Sequence, residues 1–185
     1  MLLTPTLGAT AADVARRVLA EPDRYALYSD FDGTLVETAP DLLRALGETL
    51  EHAGVPHGDL GSYRAFVGHG ARALVERASA HVGVVHDSER LSDLTEHFVT
   101  RYAADIARYS RPYDGVEEAL TLLAAEGAAL TVCTNKRTGL SVQLLTELGL
   151  IGRFAAVVGA DSVPARKPDP GLVAAAVGGA GGVIA

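Results

Sequence analysis

The sequence has no tryptophan, a single methionine and a single cysteine, and aromatic residues make up only 5% of it. One cysteine, Cys133, excludes an intramolecular disulfide and suits a reducing cytoplasm. Its neighbours Leu130-Thr131-Val132 mark it as a buried strand residue rather than a nucleophile. Basic residues are in deficit, 16 Lys and Arg against 23 Asp and Glu, and the net charge is -7. With no basic stripe, neither nucleic acid nor an anionic membrane is an expected partner. Apolar runs never approach ~18 residues, so no spanning helix is expected. Residues 1–10 lack the cationic start and apolar core of a signal peptide. What is present, 185 residues that are 48% hydrophobic and 21% charged, suits one soluble domain with an insertion, or two small domains.

The chain is organised around Tyr28-Ser29-Asp30-Phe31-Asp32-Gly33-Thr34-Leu35, where the run Tyr25-Ala26-Leu27-Tyr28 leads two aspartates into a glycine-containing turn. In an extended backbone residues i and i+2 point the same way, so Asp30 and Asp32 are expected to converge just past a strand's carboxyl end, where open α/β sheets bind ligands. Two carboxylates ~4 Å apart repel by roughly 4 kcal/mol at an effective dielectric of about 20, so both ionise only beside a cation, and otherwise one keeps a proton. With a hard cation such as Mg²⁺, Asp30 is a candidate nucleophile and Asp32 a candidate proton shuttle. Gly33 permits the turn's dihedrals, and Thr34 can tie the turn through its hydroxyl. The same D-x-D-G could open an EF-hand calcium loop, but the positions that need Gly and Glu hold Leu35 and Asp41. A solvated acidic turn is the other alternative.

Residues 11–20 read as a short helix stopping before Pro22. After Thr38 the apolar spacing becomes helical: Leu42, Leu43, Leu46, Leu50 and Ala53 share a face closed by Gly54. A shorter helix is expected over 59–66 and another over 71–81, with Gly68-His69-Gly70 as a loop between them. A long amphipathic helix is expected over 87–109, which makes 38–109 a bundle of about four helices. Arg111-Pro112-Tyr113-Asp114-Gly115 reads as a connector. Helix 116–126, strand 129–133, helix 138–148, strand 154–159 and a last helix 168–177 follow, an alternation that predicts a parallel sheet interrupted by the bundle.

The second strand ends in Thr134-Asn135-Lys136, a hydroxyl and backbone N–H groups that can cradle a phosphate, though Thr134 can equally be a helix cap. After the third strand, Arg166-Lys167-Pro168-Asp169-Pro170 holds Lys167 extended beside a helix start, where its ammonium can offset a phosphate and two aspartates. The alternative is a solvated surface lysine.

These strand ends, D-x-D, then Thr-Asn, then Lys-Pro, resemble the haloacid dehalogenase superfamily of aspartate-nucleophile phosphatases over residues 25–177. The resemblance implies an α/β fold, a three-layer Rossmann-like parallel sheet with an inserted α-helical cap. The corresponding divisions are 1–24 as an N-terminal extension, 25–37 with 114–185 as the core, and 38–113 as the cap. It implies that Asp30 attacks phosphorus, Asp32 moves protons, Thr134 and Lys167 complete the catalytic set, and Mg²⁺ is held by the Asp30 side chain and the Asp32 carbonyl. Gly33, Thr134, Asn135 and Lys167 are the expected phosphate-binding residues. Phe66-Val67-Gly68-His69-Gly70-Ala71-Arg72 with Arg111-Pro112-Tyr113-Asp114-Gly115 is similar to the phosphoglycolate phosphatase branch, so His69 and Arg72 are expected at the substrate's other end and the substrate is expected to be 2-phosphoglycolate. Asp32 argues against the dehalogenase branch, and Thr34 leans away from the phosphoglucomutase branch. Those enzymes, other sugar-phosphate phosphatases and a phosphate-binding remnant are the competing readings.

The family's fourth motif, Gly-Asp followed by a further Asp, is expected beyond the helix that follows Lys167, where the sequence reads Gly181-Gly182-Val183-Ile184-Ala185. The chain is therefore expected to be a C-terminally truncated member with an open sheet edge at Tyr25-Ala26-Leu27-Tyr28, prone to form homo-oligomers and impaired in activity. Val158-Gly159-Ala160-Asp161 has the look of that motif but precedes Lys167.

Overall fold

The computed structural model describes residues 26–164 and 166–177, with side chains over 30–164 and 166–174; the helix expected at 11–20 and the small-residue tail lie outside them. Strand β1 (Ala26–Ser29) pairs in parallel with β4 (Ala129–Cys133), which pairs in parallel with β5 (Ala156–Val158). The register sets Leu27 against Leu130 and Val132 against Val157. Neighbouring residues of a strand point to opposite faces. Val132 and Val157 accordingly join the main core with Leu120 and Leu123 of α4 (Val116–Ala125) and Leu144 and Leu145 of α5 (Thr138–Glu147). Cys133 and Val158 instead meet Leu172 of α6 (Pro170–Val177). Burial raises the Cys133 thiol above its ordinary pKa, as suits a strand residue that is not a nucleophile.

Between β1 and β4 lie α1 (Ala39–His52), a 3₁₀ turn (Leu60–Phe66), α2 (Ala71–His81) and α3 (Ser88–Ala103). Their inward residues are those the spacing picked out: Leu42, Leu46 and Leu50, then Leu74, Val75 and Ala78, then Leu91, Leu94, Phe98 and Tyr102, all buried. The stretch expected as a helix over 59–66 is 3₁₀ in form, started by Asp59, whose carboxylate accepts from the Gly61 N–H at 3.0 Å.

Four of the expected assignments change, each for a reason visible in the contacts. Helix α3 stops at Ala103 rather than running to 109, because Tyr109 and Ser110 donate their N–H groups to the buried Asp41 carboxylate (2.9 and 2.7 Å) instead of continuing a helical ladder. The Ser110 hydroxyl donates to the same oxygen at 2.7 Å. The connector at 111–115 contains a strand: β3 (Arg111–Pro112) runs antiparallel to β2 (Val36–Glu37), which ties together the two chain passages between sheet and helical unit. Strand β5 ends at Val158, since Gly159 lies against the loop before α5, where an added Cβ would sit 2.4 Å from Thr138 N and 2.6 Å from Lys136 O. Helix α6 begins at Pro170 and not Pro168: Asp169 donates its N–H to Arg166 O at 2.8 Å and accepts from Gly171 N at 2.7 Å, acting as the cap ahead of a proline at the first helical position.

In the helical unit the His52 and His97 rings stack at 4.1 Å, nearly parallel. Burial, the neighbouring His52 ring and Arg101 lower the His97 pKa below the ordinary 6.5, against the opposing pull of Glu48. The unfolded chain therefore binds a proton at His97 that the folded chain resists, so this contribution to stability is complete above the ordinary value and is lost as pH falls below it. The urea midpoint is expected to drop between about pH 7 and pH 5, and His97→Gln to remove part of that drop. An identical pH profile in the variant would contradict the assignment.

Candidate active site

Strand β1 delivers the chain into a tight turn. The Phe31 carbonyl accepts from Leu35 N and Val36 N (both 3.2 Å), Gly33 N donates to Val36 O at 2.9 Å, and Gly33 takes φ +76°, a left-handed value that a side chain would strain. Phe31 is fully buried under the turn, and Asp30 and Asp32 flank it. The side-chain hydroxyl that reaches into this turn is Thr38's: its Oγ1 donates to Asp32 Oδ1 at 2.6 Å.

The sequence demanded one cation beside the two carboxylates, and the fold supplies two. Lys167 Nζ lies 2.6 Å from Asp30 Oδ1, which also accepts from Phe31 N at 2.7 Å. Lys136 Nζ lies 3.0 Å from Asp32 Oδ1. The two pairs differ in setting. Asp30 and Lys167 are 42% and 24% exposed, whereas Asp32 and Lys136 are 7% and 5% exposed. Burial alone would lower the Lys136 pKa; Asp32 and Tyr102 beside it more than offset that and hold it above the ordinary lysine value.

Asn135 positions the Lys167 backbone. Its Oδ1 accepts from Lys167 N at 2.9 Å, and its Nδ2 donates to Lys167 O (3.3 Å) and to Gly68 O (3.2 Å) in the loop before α2. Thr134 continues the β4–β5 ladder through its N–H to Val158 O (3.0 Å), and its Oγ1 accepts from Lys136 N at 3.2 Å. Asp161 is committed elsewhere: its Oδ1 accepts from Thr138 N (2.7 Å) and Thr138 Oγ1 (2.6 Å) at the start of α5. Burial opposes its ionisation, but these donors outweigh it and lower its pKa.

A cavity of about 210 Å³ separates the helical unit from the strand ends, lined by Asp32, Arg72, Tyr102, Asn135, Lys136 and Arg166 among others. Arg72 reaches it from α2 while donating to Ser92 Oγ (2.9 Å) and Ser88 Oγ (3.3 Å), both neutral partners. His69 is exposed and outside the lining, its Nδ1 3.3 Å from Phe66 O. The helical unit is seated on the sheet unit by an Arg137–Glu96 ion pair, by Gln143 Nε2 donating to Ala103 O (2.9 Å), and by Lys136 Nζ donating to Tyr102 Oη (3.0 Å).

The sequence placed the Lys136 backbone in an expected phosphate cradle but gave its side chain no role, and it did not mark Tyr102 as a site residue. A lysine directly after a strand-ending Thr-Asn was the available signal for Lys136. Tyr102 carried none beyond its place on an apolar face. Among the described residues no three His, Cys, Asp or Glu side chains cluster to hold a metal. The Asp30 carboxylate and the Asp32 carbonyl are hard oxygen donors, and Mg²⁺ ordinarily takes one or two protein carboxylates and completes its shell with water and phosphate oxygens, so the donor chemistry fits that ion.

The profile of the haloacid dehalogenase-like hydrolases matches residues 28–180. The chain is 48% identical over 155 residues to the phosphoglycolate phosphatase of Caulobacter vibrioides, covering 84% of this chain and 65% of that protein. It is 40% identical over 155 residues to that of Agrobacterium fabrum, covering 84% and 66%. The chain thus spans about 65% of the length of the Caulobacter relative. Among solved structures it is similar to a predicted phosphoglycolate phosphatase from Haemophilus somnus 129pt, with TM-score 0.75, 28% identity, and coverage of 83% of this chain and 70% of that one. It is also similar to a predicted phosphatase from Clostridium acetobutylicum, with TM-score 0.71, 26% identity, and coverage of 85% and 71%.

Proposed function

The chain belongs to the haloacid dehalogenase-like hydrolases, and from that premise we propose that the protein is a cytoplasmic phosphatase that hydrolyses 2-phosphoglycolate through a phosphorylated Asp30. The observation that carries this reading is the pair of aspartates flanking buried Phe31, each with its own lysine. The names of the Caulobacter and Agrobacterium relatives support the choice of substrate.

In the proposed reaction an Asp30 oxygen attacks phosphorus and the bond from phosphorus to the glycolate oxygen breaks. Asp32 takes up a proton from solvent and gives it to that oxygen, and at the end of the cycle the proton it takes in the second step returns to solvent. Asp32 then takes a proton from water, whose oxygen attacks the phosphorus of phospho-Asp30; phosphate leaves and the Asp30 carboxylate is restored. Lys167 counters the phosphoryl charge, with its backbone held by Asn135. Thr134 and Gly33 contribute at the phosphate end of the substrate. Mg²⁺, held by the Asp30 carboxylate and the Asp32 carbonyl, would supply further charge neutralisation.

Arg72 takes the substrate's carboxylate. Its guanidinium lines the cavity, and its hydrogen-bond partners there are the neutral hydroxyls of Ser88 and Ser92. His69 is exposed in the loop before α2 and outside the cavity lining, so the substrate's carboxylate is left to Arg72. A charge-assisted bond is worth roughly 1.5–3 kcal/mol, so Arg72→Ala is expected to lower kcat/KM on 2-phosphoglycolate by about 10- to 100-fold. The loss on p-nitrophenyl phosphate, which lacks the carboxylate, should be much smaller, and equal losses on both would refute the selectivity role. The activity itself is tested by phosphate release from 2-phosphoglycolate with added Mg²⁺ and with a chelator. Release with Mg²⁺ alone is expected; no release with either would sink the reading.

A further inference from the structure

Lys136 sits where the two units of the fold meet. Its side chain is 5% exposed, and its ammonium is held from opposite sides: 3.0 Å from Asp32 Oδ1 in the sheet unit, and donating to Tyr102 Oη at 3.0 Å in α3 of the helical unit. The Tyr102 ring also faces the ammonium, with its centroid 4.4 Å away. Tyr102 is itself fully buried, stacked beside Phe98.

A buried ammonium is costly unless its charge and its donors are matched. Asp32 matches the charge, and Tyr102 supplies a second acceptor and an aromatic face. While α3 rests on the core, the Lys136 side chain is only 5% exposed, and its hold on Asp32 is stronger than in open solvent because a lower dielectric strengthens the pull. Lifting α3 replaces Tyr102 by water and loosens that hold. On the same Asp32 oxygen, Thr38 donates from the segment that leads from β2 into α1. The carboxylate is thus clamped between a loop of the core and the passage into the helical unit.

We propose that Lys136 is the positioning residue for Asp32, and that Tyr102 makes this positioning depend on the helical unit being seated. The chain Tyr102–Lys136–Asp32 then reports closure over the cavity to the residue that moves protons. This rests on the role given to Asp32 above. A lysine that only stabilised the interface would lower folding stability when replaced, yet leave the Asp32 conformation and the turnover of the folded enzyme as they were.

The experiment combines crystal structures with steady-state kinetics for Tyr102→Phe, Lys136→Met and Lys136→Arg. Tyr102→Phe removes one hydroxyl and keeps the ring, so it preserves the packing even if Lys136→Met impairs folding. In Lys136→Met the Asp32 side chain is expected to leave its present rotamer, and in Tyr102→Phe to populate a second one. On 2-phosphoglycolate, Tyr102→Phe is expected to lower kcat by about tenfold, the lower end of what a hydrogen bond to a charged group is worth, with KM little changed. Lys136→Met is expected to lower kcat further, and Lys136→Arg, which restores the charge, to recover part of the loss. An Asp32 rotamer unchanged in both Tyr102→Phe and Lys136→Met, together with an unchanged kcat, would overturn the proposal. If the wild-type protein releases no phosphate from this substrate, it is the functional reading above that fails, and the rotamer comparison still decides the positioning role.

Discussion

Asp30→Asn should abolish phosphate release while leaving the fold almost untouched. The carboxamide keeps the size of the carboxylate and an oxygen that can still accept from Phe31 N and Lys167, donors to Asp30 Oδ1 among the described residues. Stability should change by no more than about 1 kcal/mol, because Asp30 and Lys167 are partly exposed and such pairs are screened by solvent. Activity depends on something the amide lacks, a charged oxygen able to form and later release a bond to phosphorus. Loss of a nucleophile that acts as part of a catalytic unit costs on the order of 10⁴-fold or more in kcat. A near-normal rate in a well-folded Asp30→Asn protein would remove the proposed mechanism.

Asp32→Asn should lose both activity and stability. The Asp32 and Lys136 side chains are almost wholly buried, so neutralising the aspartate leaves a buried ammonium without its counter-charge, and breaking a buried pair from one side costs roughly 3–5 kcal/mol. The retained carbonyl oxygen of Asn can still accept from Thr38 and Lys136, which places the expected loss at the lower end of that range. Turnover should fall by at least the ~10²-fold that acid–base catalysis contributes. Thermal unfolding and kcat measured on the same preparations separate the two effects. The contrast between neighbours is the useful result: Asp30→Asn inactive and stable, Asp32→Asn slow and destabilised. Equal stabilities for the two variants would contradict the assignment of Lys136 to Asp32.

Much of this arrangement is legible in the sequence because it depends on local rules. The run into Asp30 reads as a strand and forms one, and the helical faces around Leu46, Val75 and Phe98 follow from apolar spacing. Gly33 stands where the turn takes a left-handed dihedral. Local rules fail where a distant group decides the outcome. Nothing near Tyr109 announces that Asp41, far back in the chain, will capture its N–H and end α3 early. The pairing of Val36–Glu37 with Arg111–Pro112 is too short to show a period and forms because the two passages between the units run side by side. Lys136 was passed over for the same reason. A lysine is expected in solvent, and only the tertiary fold brings Asp32 and Tyr102 to it from the two units.

In the proposed mechanism Asp30 carries the phosphoryl group between substrate and water. The direct measurement is rapid acid quenching of the wild-type protein during turnover of 2-phosphoglycolate, followed by mass spectrometry of the peptide that contains Asp30. This peptide is expected to gain the mass of one phosphoryl group, on Asp30 and not on Asp32, and to lose it once substrate is exhausted. Phosphate released at the full rate while Asp30 stays unmodified at every quench time would contradict that mechanism.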